Sequence, residues 1–169
     1  PTNEKRKSEL IKALDKNLSN KYINKIHLFV DNENCIEFLK NKYYELFNYK
    51  IKICGVGKQP LYSDLFLYCN TLKNRICMIT NSDIWLDDIK NINIHVFDKL
   101  KKNNQKTIFA LTRHENDLSC PLIDCYEGSH DSFIFISPID EQIIKHVKHK
   151  QNVWGAENVV LYELNKINY

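Results

Sequence analysis

Short apolar segments with strand periodicity alternate along this chain with segments whose apolar residues recur at helical spacing. A helical pattern covers Lys5–Asn20 and precedes an alternating strand pattern at 26–30, and the same order recurs with Ile36–Phe47 and Tyr49–Cys54. Strands that alternate with helices are typical of a sheet whose faces are covered by the helices. We therefore expect an α/β fold, a Rossmann-like domain with a mostly parallel sheet flanked by helices.

The second half of the chain is less regular, although it continues the same types of segment. We expect helices or strands in these segments: Leu61–Leu72 (helix), Arg75–Ile79 (strand), Ile84–Ile89 (short helix or turn), Ile94–Phe97 (strand or helix start), Thr107–Thr112 and Ser132–Ile136 (strands), Ile139–His149 (helix) and the apolar Val159–Leu164. A long polar stretch, His114–His130, separates the last two strands. Such a loop inside a compact domain usually serves function or covers a site.

Length and charge limit the classes of protein that remain. The 169 residues fit one domain, 1–169, and the net charge of +3, spread over the chain, does not indicate a nucleic-acid partner. No apolar run approaches the roughly 18 residues that a membrane span needs. The six scattered cysteines favour a reducing compartment, so we expect a cytoplasmic protein.

The tripeptide Asn81-Ser82-Asp83 follows directly after the apolar strand pattern of residues 75–79. Ligands of open α/β sheets gather at the carboxyl ends of strands. A carboxylate and an amide carbonyl are hard oxygen ligands, which suit Mg²⁺ or Mn²⁺ bound together with a diphosphate. The same tripeptide is short and common, and on its spacing alone it is more typical of a turn or of the cap of a following helix than of a metal site.

Two further carboxylates lie at positions from which they could serve chemistry. Asp131 stands between the long polar stretch and the last strand, and Glu157 follows Gly155, which permits a close backbone approach. Glu157 is a candidate general base. The alternatives are an ordinary loop aspartate and a glutamate in the first turn of a helix.

A zinc site is a competing hypothesis for the long polar stretch. Two thiols and two imidazoles are the ligand types of a structural zinc site, and the stretch holds His114, Cys120, Cys125 and His130. The two cysteines lack the tight pairing that makes zinc motifs specific.

Taken in order, several strings make the chain similar to the small GT-A-type glycosyltransferases found in large DNA viruses and bacteria. The resemblance covers most of the chain and is strongest in Gln59-Pro-Leu-Tyr-Ser-Asp-Leu-Phe66, Thr80-Asn-Ser-Asp-Ile84, Ala110-Leu-Thr-Arg-His-Glu115, His130-Asp-Ser-Phe-Ile-Phe135 and Gly155-Ala-Glu-Asn158. It implies a GT-A-like fold and an enzyme of viral origin, which would act in the host cytoplasm. The implied reaction moves a sugar from a nucleotide-sugar donor to a hydroxyl group of a glycan or glycoprotein acceptor, with inversion.

The resemblance also implies roles for individual residues. Asp83 and Asn81 would bind Mn²⁺ or Mg²⁺, Asp131 would orient sugar hydroxyls, and Glu157 would take the acceptor proton. The implied donor-binding residues are Asn81, Ser82, Asp83, Arg113, Tyr62 and Asp64. Arg113 would add a fixed positive charge near the donor.

The start of the chain favours an alternative of another class. Only Pro1–Lys5 precede the first helical pattern, so we expect the first strand of GT-A folds, which supplies much of the nucleotide pocket, to be missing. The chain would then be a shortened domain, part of a longer polypeptide or a reduced homologue. The corresponding function is that of a non-catalytic GT-A-like module that binds a sugar or a partner and has lost donor binding.

Overall fold

The computed structural model describes residues 3–86, 98–102, 106–112, 130–151 and 153–169, and it divides the chain into two compact units. Unit 1 comprises Pro1–Pro60 with Trp85–Ile89, and unit 2 comprises Leu61–Ile84 with Lys90–Tyr169. A division into compact units does not decide how many domains the chain has, so one domain over residues 1–169 stays a prediction.

The described elements follow one another in mixed order. They are α1 (Glu4–Ser19), β1 (Ile26–Val30), α2 (Glu33–Lys42), a 3-10 turn (Tyr44–Leu46), β2 (Ile51–Gly55), α3 (Tyr62–Asn70), β3 (Ile76–Thr80), α4 (Asp98–Lys102), β4 (Ile108–Thr112), β5 (His130–Ile136), α5 (Glu141–His146) and α6 (Ala156–Lys166).

Unit 1 is built around a strand, helix, strand sequence. β1 and β2 pair in parallel, from Ile26 opposite Ile51 to Val30 opposite Gly55. Helix α2 connects them and begins at Asn32, whose side-chain oxygen accepts hydrogen bonds from the second and third backbone amides of the first turn. Ile51 is fully buried at the centre of the apolar core of this unit.

Unit 2 contains a three-stranded antiparallel sheet in the order β3, β5, β4. The central strand β5 is buried along most of its length because helices cover it and both neighbours pair with it. Its Phe133 and Phe135 pack against the aromatic rings of Tyr62 and Phe66 from α3, with ring centroids 5.8 Å and 5.3 Å apart. This aromatic cluster holds α3 against the sheet.

The expectation of an α/β fold is confirmed at the level of class, since helices accompany small parallel and antiparallel sheets. The expected mostly parallel sheet does not hold among the described strands, because both neighbours of β5 run opposite to it. Side-chain periodicity predicts that a segment is a strand, but it carries no information on strand direction.

Most of the predicted elements are confirmed with boundaries shifted by a few residues. The largest shift is in the predicted helix Ile36–Phe47, which ends at Lys42 and continues as a 3-10 turn. The apolar segment Val159–Leu164 lies inside α6. The prediction for Ile94–Phe97 falls outside the described residues. No helix in the described ranges is long and apolar enough to cross a membrane.

Candidate functional site

The end of β3 and the start of β5 meet at one edge of the sheet in unit 2. Antiparallel pairing places Thr80 opposite Ser132, and the backbone amide of Asn81 donates to the carbonyl of Asp131 at 3.2 Å. The side-chain amide nitrogen of Asn81 donates to Oδ1 of Asp131 at 3.0 Å. Had the two strands been parallel, these two residues would lie at opposite edges of the sheet.

Asp131 occupies an irregular position in β5. Against β4, the register passes from Leu111 opposite Ser132 to Thr112 opposite His130, so it skips Asp131. A bulge of this kind redirects a side chain, and bulges are frequent beside functional sites. The carboxylate of Asp131 is nevertheless buried, with only 7% of the residue exposed. The bulge and the bond from Asn81 together fix this carboxylate at the sheet edge.

Glu157 supplies a second carboxylate from the first turn of α6. The residue before this helix, Gly155, has a φ of 79°, a left-handed conformation that glycine adopts at little cost. The Oε2 atom of Glu157 is buried and has no hydrogen-bond partner within the described part of the chain. A buried polar atom without a partner is rare in folded proteins and calls for an explanation.

The hydroxyl of Tyr62, at the start of α3, is influenced by the charges of both carboxylates. The residue is only 2% exposed. Burial raises the pKa of its hydroxyl above the ordinary range, and the negative charges of Glu157 and then Asp131 raise it further. The hydroxyl of Tyr62 therefore stays protonated at neutral pH, and its proton is available for donation to a hydrogen bond.

The pKa of His130 also depends on the charges of Glu157 and Asp131. Burial lowers its pKa below the ordinary value, and this effect outweighs the opposing charges of Glu157 and Asp131. The imidazole is consequently neutral at pH 7. One edge of unit 2 thus combines two carboxylates, a protonated phenol and a neutral imidazole.

This arrangement suits proton transfer from a hydroxyl group. A carboxylate oxygen without a hydrogen-bond partner can accept the proton of a bound hydroxyl, and a nearby fixed carboxylate can hold further hydroxyls of the same ligand. The hydroxyls of Thr80 and Ser132, 2.7 Å apart, extend the polar edge on the sheet side.

The predicted metal residues lie at the same edge but have other contacts. The amide nitrogen of Asn81 is bonded to Asp131, which leaves its carbonyl oxygen as the atom that a metal would bind. Asp83 is partly buried two residues further on, and Ser82 is exposed. Among the described residues, no three His, Cys, Asp or Glu side chains are grouped as metal ligands. The residues present would fit a cation held mainly by the phosphates of a ligand, as Mg²⁺ often is.

Other predicted residues lie apart from this edge or outside the described ranges. The Oδ2 atom of Asp64 accepts the backbone amide of Leu61 at 3.0 Å, so this exposed side chain caps α3. Arg113 and three of the four residues of the zinc hypothesis, His114, Cys120 and Cys125, are not among the described residues.

Sequence reasoning missed the contribution of His130 to the carboxylate site. The sequence gives His130 a chemical role only in the zinc hypothesis, although the residue directly precedes Asp131. The adjacency of the two residues was the available signal. What no pattern could show was that the bulge in β5 would place both of them beside the first turn of α6.

Comparisons with known proteins add no family to this description. No family model, curated protein or solved structure matches the chain. The site is therefore interpreted from its own geometry, and the resemblance to GT-A-type glycosyltransferases stays a prediction.

Proposed function

We propose that this protein is a glycosyltransferase that moves a sugar from a nucleotide-sugar donor to a hydroxyl group of a glycan or glycoprotein acceptor, with inversion. The observation that carries the proposal is the buried Oε2 atom of Glu157, which has no hydrogen-bond partner among the described residues. Its charge acts on the same tyrosine as the charge of Asp131. A buried carboxylate oxygen with no partner in the described ranges is available to accept a hydrogen bond from a substrate hydroxyl.

Glu157 is the general base of the proposed reaction. It takes the proton of the acceptor hydroxyl while the acceptor oxygen forms a bond to the anomeric carbon of the donor sugar. The bond between that carbon and the diphosphate breaks on the opposite face, and the nucleoside diphosphate leaves with the electron pair. Glycosidases stabilise a similar oxocarbenium-like centre with paired carboxylates.

Asp131 is the positioning carboxylate in this proposal. Its Oδ1 atom is fixed by Asn81, and its burial strengthens any hydrogen bond that it accepts from a sugar hydroxyl. Tyr62 keeps its proton and contributes a donor beside both carboxylates, rather than a third negative charge.

A divalent cation belongs to the same proposal. Asp83 and the carbonyl oxygen of Asn81 would hold Mn²⁺ or Mg²⁺. When bound, such an ion supplies positive charge that stabilises the departing diphosphate. Arg113 would contribute a further positive charge to the donor. The roles of Ser82, Tyr62 and Asp64 in donor binding follow from the resemblance alone.

The finer fold assignment, a GT-A-like domain related to the viral and bacterial glycosyltransferases, is also part of this proposal. The parallel pair of β1 and β2 with the intervening α2 supports it, because a strand, helix, strand unit is the building block of Rossmann-like sheets.

Nucleoside diphosphate release from a panel of nucleotide sugars, with and without Mn²⁺, tests the proposal. Glu157→Gln keeps the shape of the side chain and removes the base, so we expect release to fall by about 10²- to 10⁴-fold. Glu163→Gln on the same helix is the matched control for the loss of a carboxylate, since Glu163 pairs with Lys166 of its own helix, and it should keep the wild-type rate.

The same experiment tests the assignment of Asp83 as a metal ligand. Asp83→Ala should remove the dependence of turnover on Mn²⁺ while the circular dichroism spectrum stays unchanged. Equal turnover in the wild type and in Glu157→Gln would overturn the catalytic assignment. Binding of sugars without release of nucleotide from any donor would select the non-catalytic sugar-binding module instead.

A further inference from the structure

A cavity of about 330 Å³ lies in unit 2 beside the carboxylate site. Its lining includes Leu61, which precedes Tyr62, and Ala156, which precedes Glu157. The volume falls at the lower end of the range of small-molecule sites, about 300 to 1,000 Å³. It suits a single sugar residue with its substituent rather than a long chain.

One wall of the cavity is basic. Three consecutive residues, Lys148, His149 and Lys150, line it. The backbone fixes this wall to the start of α3, because the amide of Tyr62 donates to the carbonyl of His149 at 2.9 Å and Leu61 forms a β-bridge with Lys150. Both lysines are exposed, so they can reach a ligand in the cavity. Two exposed lysines in the lining favour a ligand with a negative charge.

Other residues of the lining are apolar and unusually exposed. Trp154 is fully exposed at 101%, and Val153 is 53% exposed, although both line the cavity. A rigid, wide indole ring offers a large contact area at low conformational cost, which is why tryptophan is enriched at binding surfaces. The apolar C–H face of a pyranose ring packs flat against such a ring, while the hydroxyl groups at its edge stay available for hydrogen bonds.

These two sets of lining residues together point to the acceptor. We infer that the cavity lined by Trp154 and Lys148–Lys150 binds the acceptor sugar, a pyranose that carries a carboxylate or phosphate group. The sugar ring stacks on Trp154, its anionic group contacts the lysines, and its reactive hydroxyl lies toward Glu157. This inference rests on the proposed function, because only a transferase has an acceptor. The donor phosphates are predicted to bind near Asp83 instead.

Tryptophan fluorescence tests the assignment because the chain has only two tryptophans. In Trp85→Phe, Trp154 is the single indole. We expect its emission to change saturably with methyl glucuronide and with glucose 6-phosphate, and the comparison of these two probes distinguishes carboxylate from phosphate. Methyl glucoside, the neutral probe, should bind at least threefold more weakly. In Trp154→Phe, the emission of Trp85 should not respond to any of them.

Charge substitutions provide the second readout. The double variant Lys148→Gln, Lys150→Gln should weaken binding of the anionic sugars by about three- to tenfold and leave the neutral sugar unchanged, which is the range for partly exposed charge pairs. Lys145→Gln on α5 is the control, since Lys145 is exposed and does not line the cavity. Added salt should reduce the affinity only for the anionic sugars.

Two outcomes would overturn the inference. One is a lack of response of Trp154 to all three sugars, and the other is a response to uridine diphosphate without one to the anionic sugars, which would make the cavity a nucleotide site. Failure here and failure of the proposed function are separable. If sugars change the emission of Trp154 but no transfer occurs, the cavity is a sugar site and the transferase proposal is wrong. If transfer depends on Glu157 but sugars do not change the emission, the transferase proposal holds and the cavity is not the acceptor site.

Discussion

At the scale of single residues, Glu157 is the clearest source of instability, because its buried Oε2 atom has no hydrogen-bond partner among the described residues. Leaving a buried polar group without a partner costs about 1 to 3 kcal/mol of folding free energy. Asp131 adds a second negative charge whose influence reaches the same tyrosine hydroxyl. Such a cost is retained where an atom must remain available for a ligand, so stability and activity should respond oppositely to its removal.

Glu157→Gln is therefore expected to raise stability while it removes turnover. The neutral amide avoids burial of a charge near Asp131, and we expect the free energy of unfolding to rise by about 1 kcal/mol, which corresponds to a melting temperature about 2 to 4 °C higher for a chain of this size. Differential scanning calorimetry at pH 7 measures it, with Glu163→Gln as the reference. A melting temperature below that of the wild type would show that the carboxylate stabilises the fold.

His130 gives a prediction about pH. Its folded-state pKa lies below the ordinary value of 6.5, mainly because of burial, so the unfolded chain binds the proton more tightly. Stability is full above about pH 6.5 and falls as the pH drops from there toward the lower pKa of the folded state. His130→Gln should flatten this part of the dependence of melting temperature on pH.

The matched control for this experiment is His146→Gln, an exposed histidine of α5. It should retain the pH dependence of the wild type. His27 in unit 1 also has a lowered pKa, mainly through burial, so some dependence should persist in His130→Gln. An unchanged pH profile in that variant would contradict the assignment.

At the scale of elements, the start of α6 depends on backbone conformation rather than on a side-chain cap. Gly155 has a positive φ, and a Cβ atom built there would meet no atom within 4 Å. Gly155→Ala should thus cost only the left-handed backbone strain, about 1 to 2 kcal/mol. Gly55→Ala is the control, since its Cβ would make an ordinary 3.6 Å contact with Ile36. Urea unfolding checks both, and equal stability of Gly155→Ala and wild type would contradict this account.

The elements also show which parts of the site a sequence can reveal. Asn81, Asp131 and Glu157 were each identifiable because a polar side chain follows or precedes an apolar segment. Their proximity was not, since it depends on β3 and β5 running in opposite directions, and strand direction has no counterpart in side-chain periodicity. The burial of Tyr62 and its influence on the chemistry follow from the same packing. For Asp64, the sequence predicted only a role in donor binding, and the structure shows that its side chain caps α3.

At the scale of the whole molecule, the two units have separate apolar cores. Ile51 is fully buried in unit 1, and Phe133 is 1% exposed in unit 2. Proteins open locally in cooperative groups, so a weakened core should be visible first in its own unit. The predicted consequence concerns hydrogen exchange of backbone amides.

Ile51→Val should accelerate exchange in β1 and β2 more than in β5, and Phe133→Leu should have the opposite preference. An Ile→Val substitution in a core lowers the free energy of unfolding by about 0.5 to 1.5 kcal/mol, so the variant stays folded. Mass spectrometry of peptic fragments provides the readout. Uniform acceleration of both sheets by either variant would show that the 169 residues unfold as one cooperative domain, as the length of the chain predicts.

The irregular pairing at Asp131 makes the site sensitive to deletions. β5 carries one more residue than β4 needs at this edge, and that additional residue is the carboxylate itself. A homologue that has lost one residue just before Ser132 would pair its strands without interruption and would have no acid at this position, however well its other residues align. When relatives of this chain are compared, a single-residue gap at this point would therefore mark a loss of the proposed site more reliably than a substitution elsewhere.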